Sequence, residues 1–67
     1  MSKLKRYLED SEMTQAGLAI AVGVSQPTVS DWINGEMSPS LGNLVVLSRI
    51  TGIALDELVR DFARDVA

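Results

Sequence analysis

The chain has 67 residues, a formal net charge of −3, a pI of about 4.6, and neither cysteine nor histidine. These absences exclude a disulfide framework and a thiolate metal site, and they remove the usual zinc ligand and general base. No apolar run approaches the roughly 20 residues that span a bilayer, and the basic start acquires acidic residues too early for a secretory signal, so we expect one soluble, cytoplasmic domain over residues 1–67.

The first predicted helix covers residues 4–9 and has two contrasting faces, with Ser2 as its candidate N-cap. Its apolar face, expected to contact the core, consists of Leu4, Tyr7 and Leu8. Its basic face consists of Lys3, Lys5 and Arg6. A solvated surface and a phosphate-contacting surface are equally compatible with this basic face.

The segment from Thr14 to Asn34 predicts two helices hinged at Gly23, where a left-handed conformation suits glycine. Thr14 is the candidate N-cap of a helix over residues 15–22, and Ser25 is that of the next helix. Two helices joined by a short turn containing glycine form a helix-turn-helix unit.

In the third helix the spacing of Val29 and Trp32 predicts that both side chains enter the core, and Asn34-Gly35 is a turn signal that ends it. The residues on the opposite face are Gln26, Pro27, Ser30 and Asp31.

Two further helices are predicted after the loop that follows Gly35. Ser40 caps a helix over residues 41–51 that ends at Gly52. Its run LVVL is also compatible with a strand, but the three-residue spacing of the neighbouring leucines favours a helix. The last helix runs from Leu55 to about Asp65, and its apolar face consists of Leu55, Leu58, Val59, Phe62 and Val66.

One set of residues, considered together, is specific in type and spacing. It consists of Thr14-Gln15, Leu18-Ala19, Gly23-Val24-Ser25, Val29-Ser30, Trp32, Asn34-Gly35, Pro39-Ser40-Leu41, Asn43-Leu44 and Leu55-Asp56-Glu57-Leu58. This pattern resembles the Cro/CI helix-turn-helix family of phage and bacterial repressors. The resemblance implies an all-α fold, a compact bundle of about five short helices whose third helix lies in the major groove of double-stranded DNA.

The resemblance also implies residue roles. The residue matching Gln26 contacts a base edge, the one matching Gln15 braces it or holds a phosphate, and the one matching Asn34 contacts the backbone. The expected DNA-binding residues are Gln15, Ser25, Gln26, Pro27, Thr28, Ser30, Asp31 and Asn34. Chemistry supports Gln26, because a glutamine amide can bond adenine N6 and N7 together. The alternative for both glutamines is an ordinary surface position.

Two features depart from a typical DNA-binding surface. Pro27 offers only apolar contact, for example to a thymine methyl group. Asp31 repels phosphates, so it either faces a donor such as cytosine N4 or is merely solvated. Because no Lys or Arg lies between Arg6 and Arg49, the segment must bind DNA through helix termini and neutral polar groups.

The leading hypothesis is a sequence-specific, Cro-like repressor that binds a palindromic operator as a homodimer in a bacterial or phage-infected cell. Its expected dimer interface consists of Leu58, Phe62 and Val66. Alternatively, Phe62 is a core residue that covers the first helix. The competing hypothesis is a protein-interaction module, antirepressor or antitoxin-like, with weak or no DNA binding.

An enzyme is the least favoured class, and we expect no catalytic residue, cofactor, metal or small-molecule ligand. The acidic residues of the last helix alternate with Arg60 and Arg64, so an exposed, salt-bridged helix face explains them better than a metal cluster. These acidic residues are Asp56, Glu57, Asp61 and Asp65.

Overall fold

The computed structural model describes residues 3–66, and the side chains of residues 3–63. This part of the chain forms five α-helices and no strand: α1 (Lys3–Ser11), α2 (Gln15–Val22), α3 (Gln26–Ile33), α4 (Leu41–Thr51) and α5 (Leu55–Val66). The predicted all-α bundle is confirmed, and the LVVL run is helical. The prediction for α1 is too short at both ends, and Ser2, its candidate cap, lies outside the described residues.

The local signals that begin and end α2, α3 and α4 are confirmed. The Thr14 hydroxyl accepts a hydrogen bond from the Gly17 N–H at 3.0 Å, and the Ser25 and Ser40 hydroxyls cap the next two helices in the same way. Gly23 adopts a φ of 89°, and its N–H donates to the Ala19 carbonyl at 2.8 Å. Each hydroxyl cap accepts an N–H group that the first turn of a helix leaves unpaired, and Gly23 pairs a carbonyl of the last turn.

All five helices contribute to one hydrophobic core. In this arrangement α2 packs on α3 and α4, while α5 packs on α4 and α1. The buried apolar residues are Leu4, Leu8, Leu18, Ala19, Val29, Trp32, Leu44, Leu47, Leu58 and Phe62. Burial of such side chains stabilises the fold by about 1.5–3 kcal/mol each.

The predicted dimer interface is wrong for Leu58 and Phe62, because both lie on the buried inner face of α5. Leu58 and Phe62 are 0% and 3% exposed, in the same core cluster as Leu4 and Leu8. Because α1 packs across this face of α5, neither side chain is available to a second subunit. The alternative position of Phe62, in the core beside α1, is the one observed. The side chain of Val66 lies outside the described residues.

The prediction that the acidic residues of α5 are all exposed is wrong for Asp61. Its carboxylate is buried, and Oδ2 accepts a hydrogen bond from the backbone N–H of Lys3 at 2.9 Å. A negative charge at the first turn of α1 is favourable for the helix dipole. The other part of the expectation is confirmed, since Asp56 and Arg60 form an exposed ion pair at 3.6 Å.

Candidate nucleic-acid interface

The rotation of α3 about its axis is fixed by two core residues. Val29 and Trp32 are 0% and 1% exposed, as their spacing predicts. At 3.6 residues per turn, Pro27 and Asp31 then lie most nearly opposite Val29. We refer to the polar side of this helix as the outer face of α3, which consists of Gln26, Pro27, Thr28, Ser30, Asp31 and Asn34.

The residues of this face differ in exposure. Gln26, Pro27 and Asn34 are exposed, whereas the remaining three are partly buried. The sequence therefore identified the side of α3 that faces solvent, and every residue of this face has accessible surface. Exposed polar groups on a helix fixed by buried neighbours are suited to contact an external partner without disturbing the fold.

The N-terminus of α3 is held by paired hydroxyl groups. Ser25 Oγ and Thr28 Oγ1 share a hydrogen bond of 2.8 Å, and Ser25 Oγ also accepts the Thr28 N–H at 3.3 Å. Pro27 lies in this first turn, where its missing N–H removes no helical hydrogen bond. Ser25 and Thr28 thus have a structural role in addition to the predicted DNA contact.

A second contact stabilises the C-terminal end of the outer face. Asn34 Nδ2 donates to Ser30 Oγ at 3.3 Å. Gln26, Ser30 and Asn34 are four residues apart along the chain, so they follow one side of α3. This alignment presents amide and hydroxyl groups, which can both donate and accept hydrogen bonds.

Gln15 lies at the first position of α2 and is partly buried. It borders a shallow groove of about 240 Å³ between α1 and the α2–α3 unit, together with Lys5, Leu8 and Met13. That Lys5 lies near Gln15 could not be predicted from the sequence, because this proximity depends on how α1 packs against α2.

The charges around the outer face of α3 are sparse and acidic. No Lys or Arg lies between Arg6 and Arg49, whereas Asp31 and Glu36 lie in or just after α3. Of the cations elsewhere, Lys3 contacts Glu57 at 3.5 Å. Any binding through this face therefore depends mainly on neutral polar groups.

Sequence reasoning missed two exposed apolar side chains on the α2 and α4 surfaces. Ile20 is 83% exposed although it lies in an apolar run, and Leu41 is 68% exposed although its spacing to Leu44 and Leu47 predicts burial. Over residues 3–66, no helix has the length and apolarity needed to cross a membrane. Within the same part of the chain, no three acidic residues are grouped so as to hold a metal ion.

The geometry agrees with the relationships of the chain to known proteins. A family model described as helix-turn-helix matches residues 4–58. The chain is also 35% identical over 52 residues to an uncharacterized HTH-type transcriptional regulator of Haemophilus influenzae, a match that covers 78% of this chain and 22% of that regulator. The chain thus spans about a fifth of its relative's length, and no solved structure matches it. The chain belongs to the Cro/CI-type helix-turn-helix family.

Proposed function

We propose that this helix-turn-helix protein is a sequence-specific DNA-binding transcriptional regulator, a Cro-like repressor that acts in the bacterial cytoplasm. The observation that carries the proposal is the outer face of α3, where Gln26 and Asn34 are exposed while Val29 and Trp32 anchor the helix in the core. The name of the Haemophilus relative, a transcriptional regulator, supports the same activity.

In this proposal α3 enters the major groove of DNA. The exposed amide of Gln26 bonds adenine N6 and N7, a contact that discriminates against other bases by about 1–3 kcal/mol. The N-termini of α2 and α3 direct N–H groups and the positive end of each helix dipole toward phosphates. Gln15 contacts the backbone at the first of these termini, and the hydroxyls of Ser25 and Thr28 do so at the second.

We further propose that two copies bind a palindromic operator, because a single small module buries limited surface on DNA. Twofold symmetry places two recognition helices one DNA turn, about 34 Å, apart. Since Leu58 and Phe62 are buried, the outer side of α5 is the proposed contact, including Val59, which is 42% exposed. Sedimentation of the protein with a two-site DNA should give a 2:1 complex that Val59→Lys weakens. A wild-type complex that remains 1:1 would contradict the dimer.

The experiment that tests DNA recognition is selection of binding sites from random double-stranded DNA at about 50 mM salt. The wild-type chain should enrich one consensus that contains adenine, and Gln26→Ala should lose that preference by about 5- to 150-fold. Ser38→Ala, in the exposed loop before α4, is a matched control that should leave the consensus unchanged. A consensus unaffected by Gln26→Ala would contradict the role assigned to this residue.

One observation favours the alternative, a protein-interaction module on the same fold. The segment between Arg6 and Arg49 has no basic residue, and it exposes the apolar side chains of Ile20 and Leu41. Salt dependence separates the two functions. If the three basic residues of α1 supply the phosphate contacts, the slope of log K against log[salt] should be no steeper than about −3 per subunit. Undetectable binding to the random pool at about 50 mM salt would contradict the repressor.

A further inference from the structure

We infer that Asp31 selects a cytosine in the DNA site, a specificity that rests on the proposed function. Asp31 lies on the side of α3 opposite the buried Val29 and one helical turn after Pro27. Among residues 3–63 its carboxylate has neither a hydrogen bond nor an ion pair. It is therefore an unpaired acceptor on the face that the proposed function directs into the major groove.

The backbone beneath this side chain is firmly held. The Asp31 carbonyl accepts hydrogen bonds from the N–H groups of Glu36, at 2.9 Å, and Met37, at 3.3 Å. These bonds tie the last turn of α3 to the loop that follows. The backbone of Asp31 is therefore hydrogen-bonded on its C-terminal side, which helps to position the side chain as a discriminating contact requires.

The chemistry of an ionised carboxylate restricts the base that it can face. A carboxylate only accepts hydrogen bonds, and the donors exposed in the major groove are cytosine N4 and adenine N6. Adenine presents its N7 acceptor beside N6, and guanine and thymine present only acceptors, which repel a negative group. Cytosine is therefore the base that offers a donor to Asp31 without a neighbouring acceptor on the same base.

Electrostatics strengthens this selectivity. Asp31 forms no ion pair within residues 3–63, so the carboxylate disfavours binding to any DNA in which it remains unpaired. A repulsive group that is relieved by only one partner raises specificity by weakening every other complex. Asp31 thus acts both for cytosine and against non-specific binding.

The helix also sets the position of the cytosine relative to a second contact. Pro27 and Asp31 are four residues apart, which corresponds to about 6 Å along the axis of α3. Successive base pairs are separated by about 3.4 Å. The cytosine should therefore lie one or two base pairs from the pair that the Pro27 ring contacts, where an apolar group favours a thymine methyl.

The test is selection from random double-stranded DNA with the wild-type chain, Asp31→Asn and Glu36→Gln. Asp31→Asn keeps the size of the side chain and adds a donor, whereas Glu36→Gln removes an exposed charge of the same sign five residues later. Asp31→Asn should reduce the preference for cytosine at one position per half-site by about 5- to 150-fold. Glu36→Gln should strengthen binding to all sequences alike and leave that preference intact.

Two outcomes overturn the inference and are distinct from each other. If Asp31→Asn keeps the wild-type consensus and only strengthens binding to every sequence, as Glu36→Gln does, the carboxylate is solvated and selects nothing. If the wild-type chain enriches no sequence at all, the proposed function fails and the inference fails with it.

Discussion

Asp31 and Asp61 lie in different environments, one partly exposed on α3 and the other buried between α1 and α5. In the α1–α5 pair, Asp61 is buried and accepts the Lys3 N–H, and Lys3 also contacts Glu57 through its side chain. In the α2–α3 unit, Asp31 is partly exposed and unpaired within residues 3–63. The buried aspartate thus joins two helices, whereas the aspartate of α3 has no partner among the described residues.

The two regions differ in electrostatics but not in packing, because they share one core. Trp32 of α3 lies in the same buried cluster as Leu4 of α1 and Leu58 of α5. We therefore predict that core substitutions destabilise both regions together, whereas substitutions of polar groups affect stability in one region and DNA recognition in the other.

The largest expected effect comes from Trp32→Ala, which removes the shared core contact. Truncation of a buried tryptophan costs about 3–5 kcal/mol, and a domain of this size has a total free energy of unfolding of about 3–10 kcal/mol. Urea denaturation followed by circular dichroism should show a free energy of unfolding lower by that amount, which is a large part of the total. Leu41→Ala, at an exposed position of α4, is the control and should change stability by less than about 0.5 kcal/mol.

A smaller effect is expected from Asp61→Ala, which should lower stability without changing DNA recognition. Loss of the carboxylate leaves the Lys3 N–H without its acceptor and should reduce the free energy of unfolding by about 0.5–2 kcal/mol. Asp61→Asn, which keeps an acceptor, should cost less, and both variants should retain the wild-type DNA consensus.

Asp56→Ala is the matched control for Asp61→Ala, because Asp56 takes part only in an exposed ion pair on the same helix. Such pairs contribute about 0.3–0.5 kcal/mol. Equal losses of stability from Asp56→Ala and Asp61→Ala in urea denaturation would contradict the role of the buried hydrogen bond.

The smallest effect concerns the connection between the two regions. Glu12 follows α1 with a φ of 61°, a left-handed conformation that costs a residue with a side chain about 1–2 kcal/mol. Glu12→Gly removes this cost. It also makes the unfolded chain more flexible, which cancels about 0.4–1 kcal/mol of the gain in stability. The midpoint of urea denaturation should therefore rise slightly. Glu9→Gly, within α1, should instead lower it, and a fall for both variants would contradict the strain at Glu12.

Local signals explain why much of the fold was predictable. Thr14, Ser25 and Ser40 each cap a helix through an N–H group three residues later, so the relevant partners are adjacent in sequence. Gly23 and Gly52 adopt positive φ angles at helix ends for equally local reasons. The side of α3 that faces solvent followed from Val29 and Trp32, because helical periodicity relates burial of one face to exposure of the other.

Other features depended on contacts between distant parts of the chain. The apolar face of α5 was visible in the sequence, but whether it meets α1 or a second subunit was not, and α1 covers Leu58 and Phe62. Ile20 and Leu41 have the same chemical character as core leucines, yet they lie on the outside of their helices. Periodicity is a weak guide to them because α2 and α4 are apolar on several sides.

Five helices, the caps of α2, α3 and α4 and the solvent-facing side of α3 were predictable from the amino-acid sequence, since hydrogen bonds over three or four residues and a 3.6-residue period decide them. Which aspartate has a hydrogen-bond partner depends instead on how the helices pack. Asp61 meets the Lys3 N–H across 58 residues of sequence, whereas Asp31 meets no partner within residues 3–63. The two aspartates are chemically identical, and their different environments arise because α1 packs against α5 while the outer face of α3 remains open to solvent.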